Sequence, residues 1–251
     1  KTNSVKIDLS INSCVSDFFN LINKHKFILK KKEISKWIFW INDIKKKYPI
    51  CEKKYYLEKN YVNPYVFFNE LSPCCKSNDI IIPDASANLI WAYQAFKPKK
   101  GQKVFTALNH SPMGYSVAAS VGAKFGALKK NVIAIIGDGS VAMNVQEFET
   151  IAHNKLPIKI FIMNNNGYGL IKGTLELFLE KNYVGVDPSS GLGIPDFKKI
   201  AYSYNIPYRQ INNHTNIQNK INNILKLKTP VICDVKVNPN QRVIPKLESG
   251  N

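Results

Sequence analysis

Two short, mainly apolar runs dominate the hydrophobic pattern of the chain, VIAII at residues 132–136 and IKIFIM at 158–163. Neither alternates cleanly with polar residues, as is expected of parallel strands covered on both faces. Between them Val145, Phe148, Ile151 and Ala152 recur at helical spacing. The unit therefore reads as strand, helix, strand, joined by a right-handed crossover. Each strand runs into a polar, glycine-rich turn: Gly137-Asp138-Gly139-Ser140 after the first and Asn164-Asn165-Asn166-Gly167 after the second. This topology puts both turns at the carboxyl ends of neighbouring strands, where open parallel sheets bind ligands.

The pattern on either side extends the same architecture. Residues 65–71 read as a helix entered at Asn63-Pro64, and residues 80–82 as a first strand closed by Pro83. A helical LIWAYQAF follows Asp84-Ala85-Ser86-Ala87-Asn88, and residues 103–106 read as a short strand. Gly114, Ala118, Gly122 and Gly126 fall four apart, a helix face suited to close packing. Downstream, Pro195-Asp196-Phe197 opens a helix through Tyr202, residues 216–227 read as another helix, and residues 230–237 as a final buried strand. The expected fold is α/β, a three-layer α/β/α domain with a mainly parallel sheet. Ahead of it, a strand-like VKIDL and a helical segment carrying Val15, Phe18, Phe19 and Ile22 are too short to bury a core of their own. Residues 34–50 form an amphipathic helix in which Trp37, Trp40, Ile41 and Ile44 are expected to be packing anchors.

At 251 residues the chain has room for one large domain, or a domain with a piece of another. Its first residue is Lys1, which reads as a fragment or a processed chain. With no signal peptide and no apolar run long enough to span a bilayer, a soluble, cytoplasmic protein is expected. The five cysteines, Cys14, Cys51, Cys74, Cys75 and Cys233, lack metal or disulfide spacing and are expected to be reduced thiols. The net charge of +17 raises nucleic acid as a partner. Only Arg209 and Arg242 are arginines, however, and the lysines are scattered among Asn and Ile. The charge is therefore read as a compositional bias of the solvated surface, with no nucleic-acid partner expected. Runs such as Lys30-Lys31-Lys32 and Lys45-Lys46-Lys47 can still attract anions.

The two turns carry the candidate chemistry. Asp138 is a hard anionic oxygen ligand, Asn165 can add an amide oxygen 27 positions later, and the Gly167 carbonyl can add a third. An oxygen-only set suits Mg²⁺, which keeps its other positions for phosphate and water. Gly137 and Gly139 allow close backbone approach, and the N–H groups around Ser140 favour an anion, so the combination fits a metal-bound diphosphate. Either turn alone is an ordinary loop signal; the spacing after two buried strands makes the pair specific. His110, a lone histidine expected near the proposed site, is a candidate acid/base, against a plain loop or packing role.

GDGS, followed about 27 residues later by NN, resembles the cofactor motif of thiamine diphosphate (thiamine pyrophosphate) enzymes. The surrounding sequence is similar to the C-terminal cofactor domain of the acetolactate synthase group. The resemblance implies residues 1–33 as the end of a central domain, 34–62 as a helical linker and 63–251 as the domain that binds diphosphate and Mg²⁺. It implies that Met113, just before Gly114, sits beneath the cofactor and bends it. Asn88, Ser111, Tyr168, Gly169 and Leu170 then join Gly137, Asp138, Gly139, Ser140, Asn165 and Gly167 as cofactor-binding candidates, with residues 168–178 folding over the cofactor. Where the group commonly carries Gln-His, this sequence has Ala87 and Asn88; Asn88 can still donate to a phosphate, whereas Ala87 has no donor. The activity implied is decarboxylation of a 2-keto acid such as pyruvate and transfer of the two-carbon unit to a carbonyl acceptor. Thr174 stands where acetolactate synthases typically carry a Trp that narrows the acceptor pocket, which leaves a keto sugar, as in the acetolactate synthase-like proteins of surface-polysaccharide pathways, as a rival acceptor; a non-catalytic binding module on the same scaffold is the other alternative. A homodimer or tetramer with its active site at the subunit interface is implied. The activating glutamate lies in a domain outside these residues, so Glu147 and Glu149 are read as structural or surface groups, and the chain alone is expected to turn over little.

Overall fold

The computed structural model describes residues 7–25 and 31–244. It divides into two units, the first ending at Pro49 and the second running from Ile50 to Ile244.

Among the described residues the first unit holds two helices, α1 (Val15–Lys24) and α2 (Lys31–Lys47). The strand-like VKIDL begins outside the described residues at Val5 and Lys6, and its described part, Ile7, Asp8 and Leu9, forms no strand. The expected packing role of the tryptophans is not met. Trp37 and Trp40 are 63% and 54% exposed and meet each other edge to face at 5.4 Å. The reason is a missing layer: α1 buries none of its residues, so the described residues of this unit form no core for the apolar stripe of α2 to cover.

In the second unit, Pro64 at the first helical position and the Asn63 side chain, which accepts the Tyr65 N–H at 2.9 Å, start α3 (Pro64–Cys74). Then follow β1 (Ile80–Pro83), α4 (Ala87–Ala95), β2 (Lys103–Val104), α5 (Tyr115–Gly126), β3 (Val132–Gly137), α6 (Asp138–Val141), α7 (Glu147–His153) and β4 (Lys159–Asn164). The chain continues through α8 (Gly169–Phe178), α9 (Phe197–Ser203), β5 (Tyr208–Ile211), α10 (Ile217–Lys226) and β6 (Val231–Lys236). The Asp196 carboxylate caps α9, taking the N–H groups of Lys198 and Lys199. The crossover helix begins later than its apolar spacing suggests, leaving Val145 in the turn ahead of α7, where it packs on the core.

All six strands are parallel, in the order β2-β1-β3-β4-β6-β5. Side chains of successive residues point to opposite faces, which gives the sheet two separate cores. Ile133, Ile135, Phe161, Met163, Cys233 and Val235 pack under α3, α4 and α10. Val132, Ala134, Ile136, Ile160, Ile162 and Ile232 pack under α5, α7 and α9. This is the expected three-layer α/β/α arrangement, and both faces being covered explains the apolar runs of β3 and β4; buried Lys159 at the start of β4 donates to the Leu227 and Thr229 carbonyls. Phe67 of α3 meets Phe161 of β4 edge to face at 5.3 Å, a contact worth about 1 kcal/mol beyond its burial.

The small-residue face of α5 differs from expectation. Ala118, Gly122 and Gly126 are exposed, and nothing lies within 4 Å of where a Cβ would stand on Gly122 or Gly126. Gly114 alone is packed as expected: its φ is +87°, and a Cβ there would come within 2.6 Å of Asn144 Nδ2.

Candidate functional site

β3 and β4 are neighbours in register, with Gly137 opposite Met163, so the turns that follow them emerge side by side. Asp138 opens the short helix α6 and is 2% exposed. Its Oδ1 accepts the Gly139 N–H at 2.7 Å and its Oδ2 accepts the Gly167 N–H at 3.0 Å. One carboxylate thus closes the first turn on itself and ties it to the second. Burial pushes Asp138 up to about 6, against the pull of the Gly139, Gly167 and Asn166 N–H groups; the nearby Asp234 carboxylate adds to the rise.

The glycines are required by what surrounds them. A Cβ on Gly139 would stand inside the Tyr168 ring, and one on Gly167 would strike the Val186 carbonyl. A Cβ on Gly169 would come within 2.5 Å of Asn165 Nδ2, and one on Gly137 within 2.9 Å of Asn88 Nδ2. Asn88, Asn165 and Tyr168 are therefore packed directly onto the glycine turns. Tyr168 is held in turn by its N–H, which donates to the Val186 carbonyl at 2.8 Å. A cavity of about 300 Å³ opens beside the second turn, lined by residues 165–169, Lys172, residues 186–189 and Pro239. Lys172 Nζ and Asp187 Oδ2 form an ion pair at 2.8 Å in its wall, and the lysine holds the aspartate well below the usual carboxylate range.

The other candidates occupy different surroundings. Ser140 is buried within α6. Ser111 has φ +44° and donates its N–H to the Ala107 carbonyl, so the chain turns sharply just before half-buried Met113. Leu170 is 38% exposed on the first turn of α8. His110 is exposed in the turn at 108–110, and no hydrogen bond among the described residues ties its side chain to Asp138, Asn165 or Gly167.

Two carboxylates matter here that the sequence did not single out. Asp84, at the end of β1, is fully buried and accepts the Gly114 N–H on Oδ2 (3.1 Å) and the Ser116 N–H on Oδ1 (2.9 Å). Asp234, on β6, is 6% exposed; its Oδ2 accepts from the Tyr208 hydroxyl at 3.1 Å, while its Oδ1 is buried without a hydrogen-bond partner. The available signal was a lone carboxylate interrupting or closing an apolar strand, which is costly unless it has partners.

The residues present suit a diphosphate and a hard cation: a buried carboxylate, an adjacent carboxamide, a backbone carbonyl and glycine turns that a Cβ would obstruct. The family described as thiamine pyrophosphate enzyme, C-terminal TPP binding domain, matches residues 84–235, and the chain belongs to that family. Among curated relatives it is similar to the acetolactate synthase large subunit of Cyanidium caldarium, 29% identical over 222 residues, covering 88% of this chain and 37% of the relative. It is likewise similar to the acetolactate synthase isozyme 1 large subunit of Escherichia coli (strain K12), 26% identical over 216 residues, covering 86% and 37% respectively. The large subunit from Porphyra purpurea is 28% identical over 240 residues, covering 96% of this chain and 39% of the relative. The chain thus spans well under half the length of these relatives.

Among the described residues no helix is long and apolar enough to cross a membrane. All five cysteines are free.

Proposed function

We propose that this chain provides the diphosphate and Mg²⁺ half of the active site of an acetolactate synthase-like enzyme, which decarboxylates a 2-keto acid, pyruvate in the first instance, and passes the two-carbon unit to a carbonyl acceptor. The observation that carries this reading is the Asp138 carboxylate, buried and shared between the N–H groups of Gly139 and Gly167. It supports a single polar cradle made from both turns. When bound, thiamine diphosphate supplies the nucleophilic carbon that decarboxylation of a 2-keto acid needs.

The chain's own groups bind and orient. Asp138, the Asn165 amide oxygen and the Gly167 carbonyl would hold the Mg²⁺, and Ser140 with the surrounding backbone N–H groups would receive the diphosphate. Asn88, beside Gly137, donates to a phosphate oxygen. Ser111 and Met113 would support the cofactor from the 106–114 loop, while Tyr168, Gly169 and Leu170 would cover it and exclude water. His110 is the residue of this loop available to move a proton. The cofactor's other end requires a second subunit in a homodimer or tetramer, and the compartment is cytoplasmic.

In the full-length protein stripped of cofactor, Mg²⁺ and thiamine diphosphate added together should restore CO₂ release from pyruvate, and Asp138→Ala should not respond. Equal restoration in the variant would remove the proposed role of the turn.

A keto-sugar acceptor is supported by Thr174, whose hydroxyl donates back to the Leu170 carbonyl at 3.1 Å, so that the side chain stays close to its own helix. Acceptor competition in the full-length protein decides between the two: preferential consumption of a second pyruvate would exclude the sugar.

A further inference from the structure

We propose that Asp84 is a positioning residue of the cofactor site, its buried carboxylate fixing the Met113-Gly114 turn against the end of β1. The inference deepens the site reading above and rests on it.

Asp84 is anchored from behind: its N–H donates to the Ile135 carbonyl at 2.7 Å, two residues before Gly137. From that fixed point its two oxygens take the Gly114 and Ser116 N–H groups at the start of the 12-residue helix α5. Gly114 is the N-cap of that helix and has no side chain to cap it, so a residue 30 positions earlier does so instead. An N-cap Ser or Asp could satisfy the Ser116 N–H, at about 1 kcal/mol of helix stability, without taking a carboxylate wholly out of water, but it could not take its own N–H as Asp84 takes that of Gly114. What the remote cap adds is tertiary. It sets the distance between β1 and the residue preceding Gly114, which is Met113.

A further observation points the same way. Gly114 is held on its other side by Met143 and Asn144, which follow α6, so the turn is clamped between Asp84 and the continuation of the first glycine turn. Asp84 and the segment after the first glycine turn thus hold Gly114, and with it Met113, from two sides.

Asp84→Asn keeps the shape and one acceptor oxygen but turns an NH₂ group toward one of the two N–H donors. The turn must then shift, carrying Met113 with it. The test is a double-mutant cycle in the full-length protein with Asp84→Asn, Met113→Ala and both together, reading Mg²⁺-thiamine diphosphate affinity by calorimetry and melting temperature without cofactor. We expect Asp84→Asn alone to weaken affinity about tenfold, and no more than about threefold in the Met113→Ala background. A purely structural cap would lower the melting temperature while leaving affinity within about twofold, or would weaken affinity equally in both backgrounds; either result overturns the proposal. Should Asp84→Asn fail to fold, Asp84→Ser, which keeps one acceptor, takes its place with the same expectations. If the unaltered protein binds no cofactor, the site reading itself has failed; if it binds and only the coupling is missing, the failure belongs to Asp84 alone.

Discussion

Cofactor loading should depend on pH through Asp138. The group sits at about 6 in the cofactor-free chain because burial disfavours its charged form, with Asp234 adding to the rise. A metal ion needs the deprotonated oxygen, so its apparent affinity carries a factor of 1 + 10^(pKa − pH). That factor is close to one at pH 7.5 and about 11 at pH 5, a loss of about 1.4 kcal/mol in binding. The sign follows from the direction of the shift. A carboxyl with a folded pKa above its unfolded value is destabilising where it must be charged, and favours the folded state increasingly as pH falls from about 6 toward 3.8. Lowering the pH should therefore weaken metal-dependent cofactor binding while this group's own contribution to stability rises. The assay is calorimetric titration of Mg²⁺-thiamine diphosphate at both pH values, compared with Asp138→Asn, which keeps an oxygen toward the metal but cannot titrate. Protonation of the ligand is common to both proteins, so the difference between them isolates Asp138. The variant should lack the tenfold component; identical pH profiles in the two proteins would refute the reasoning.

Three other substitutions test separate parts of the fold. Gly114→Ala must hold an alanine at φ +87° with its Cβ against Asn144; it should cost about 2 kcal/mol or more in urea unfolding, and a neutral result would mean the turn is not fixed as described. Ser86→Gly relieves a serine at φ +72° and ψ −147° in the loop after Asp84, and should raise stability by about 1 kcal/mol, whereas a loss would show that the serine side chain contributes more than its strained backbone costs. Arg242 grips Glu176 of α8 with Nε at 3.0 Å and Nη2 at 2.5 Å. Lysine has no such planar fork, so Arg242→Lys should speed amide exchange across Gly169–Phe178; unchanged exchange there would show that the tail does not hold the helix.

What could be read from the sequence follows the physics of burial. β3 and β4 are covered on both faces, so their runs are almost wholly apolar, and Pro83 marked the end of β1. The glycine turns were legible because close packing against Tyr168, Asn165 and Asn88 leaves no room for a side chain. β5 was missed because YRQI is a short edge strand with Arg209 and Gln210 exposed, and it carries no run or clear alternation. Asp84 was noted only as a position near the cofactor loop. Its partners are backbone N–H groups 30 and 32 residues away, and backbone donors leave no trace in side-chain spacing. Trp37 and Trp40 misled for the opposite reason: helical periodicity reports that an apolar face exists, and says nothing about whether the chain supplies its cover. The Gly122 and Gly126 face of α5 is a second instance.

The central claim is that the two glycine turns, joined through Asp138, hold a metal-bound diphosphate. Its most direct test is calorimetric titration of the protein with thiamine diphosphate at neutral pH, with and without Mg²⁺, repeated on Asp138→Ala. Saturable binding that requires Mg²⁺ and disappears in the variant is the predicted result. Binding of equal strength without the metal, or in the variant, would contradict it.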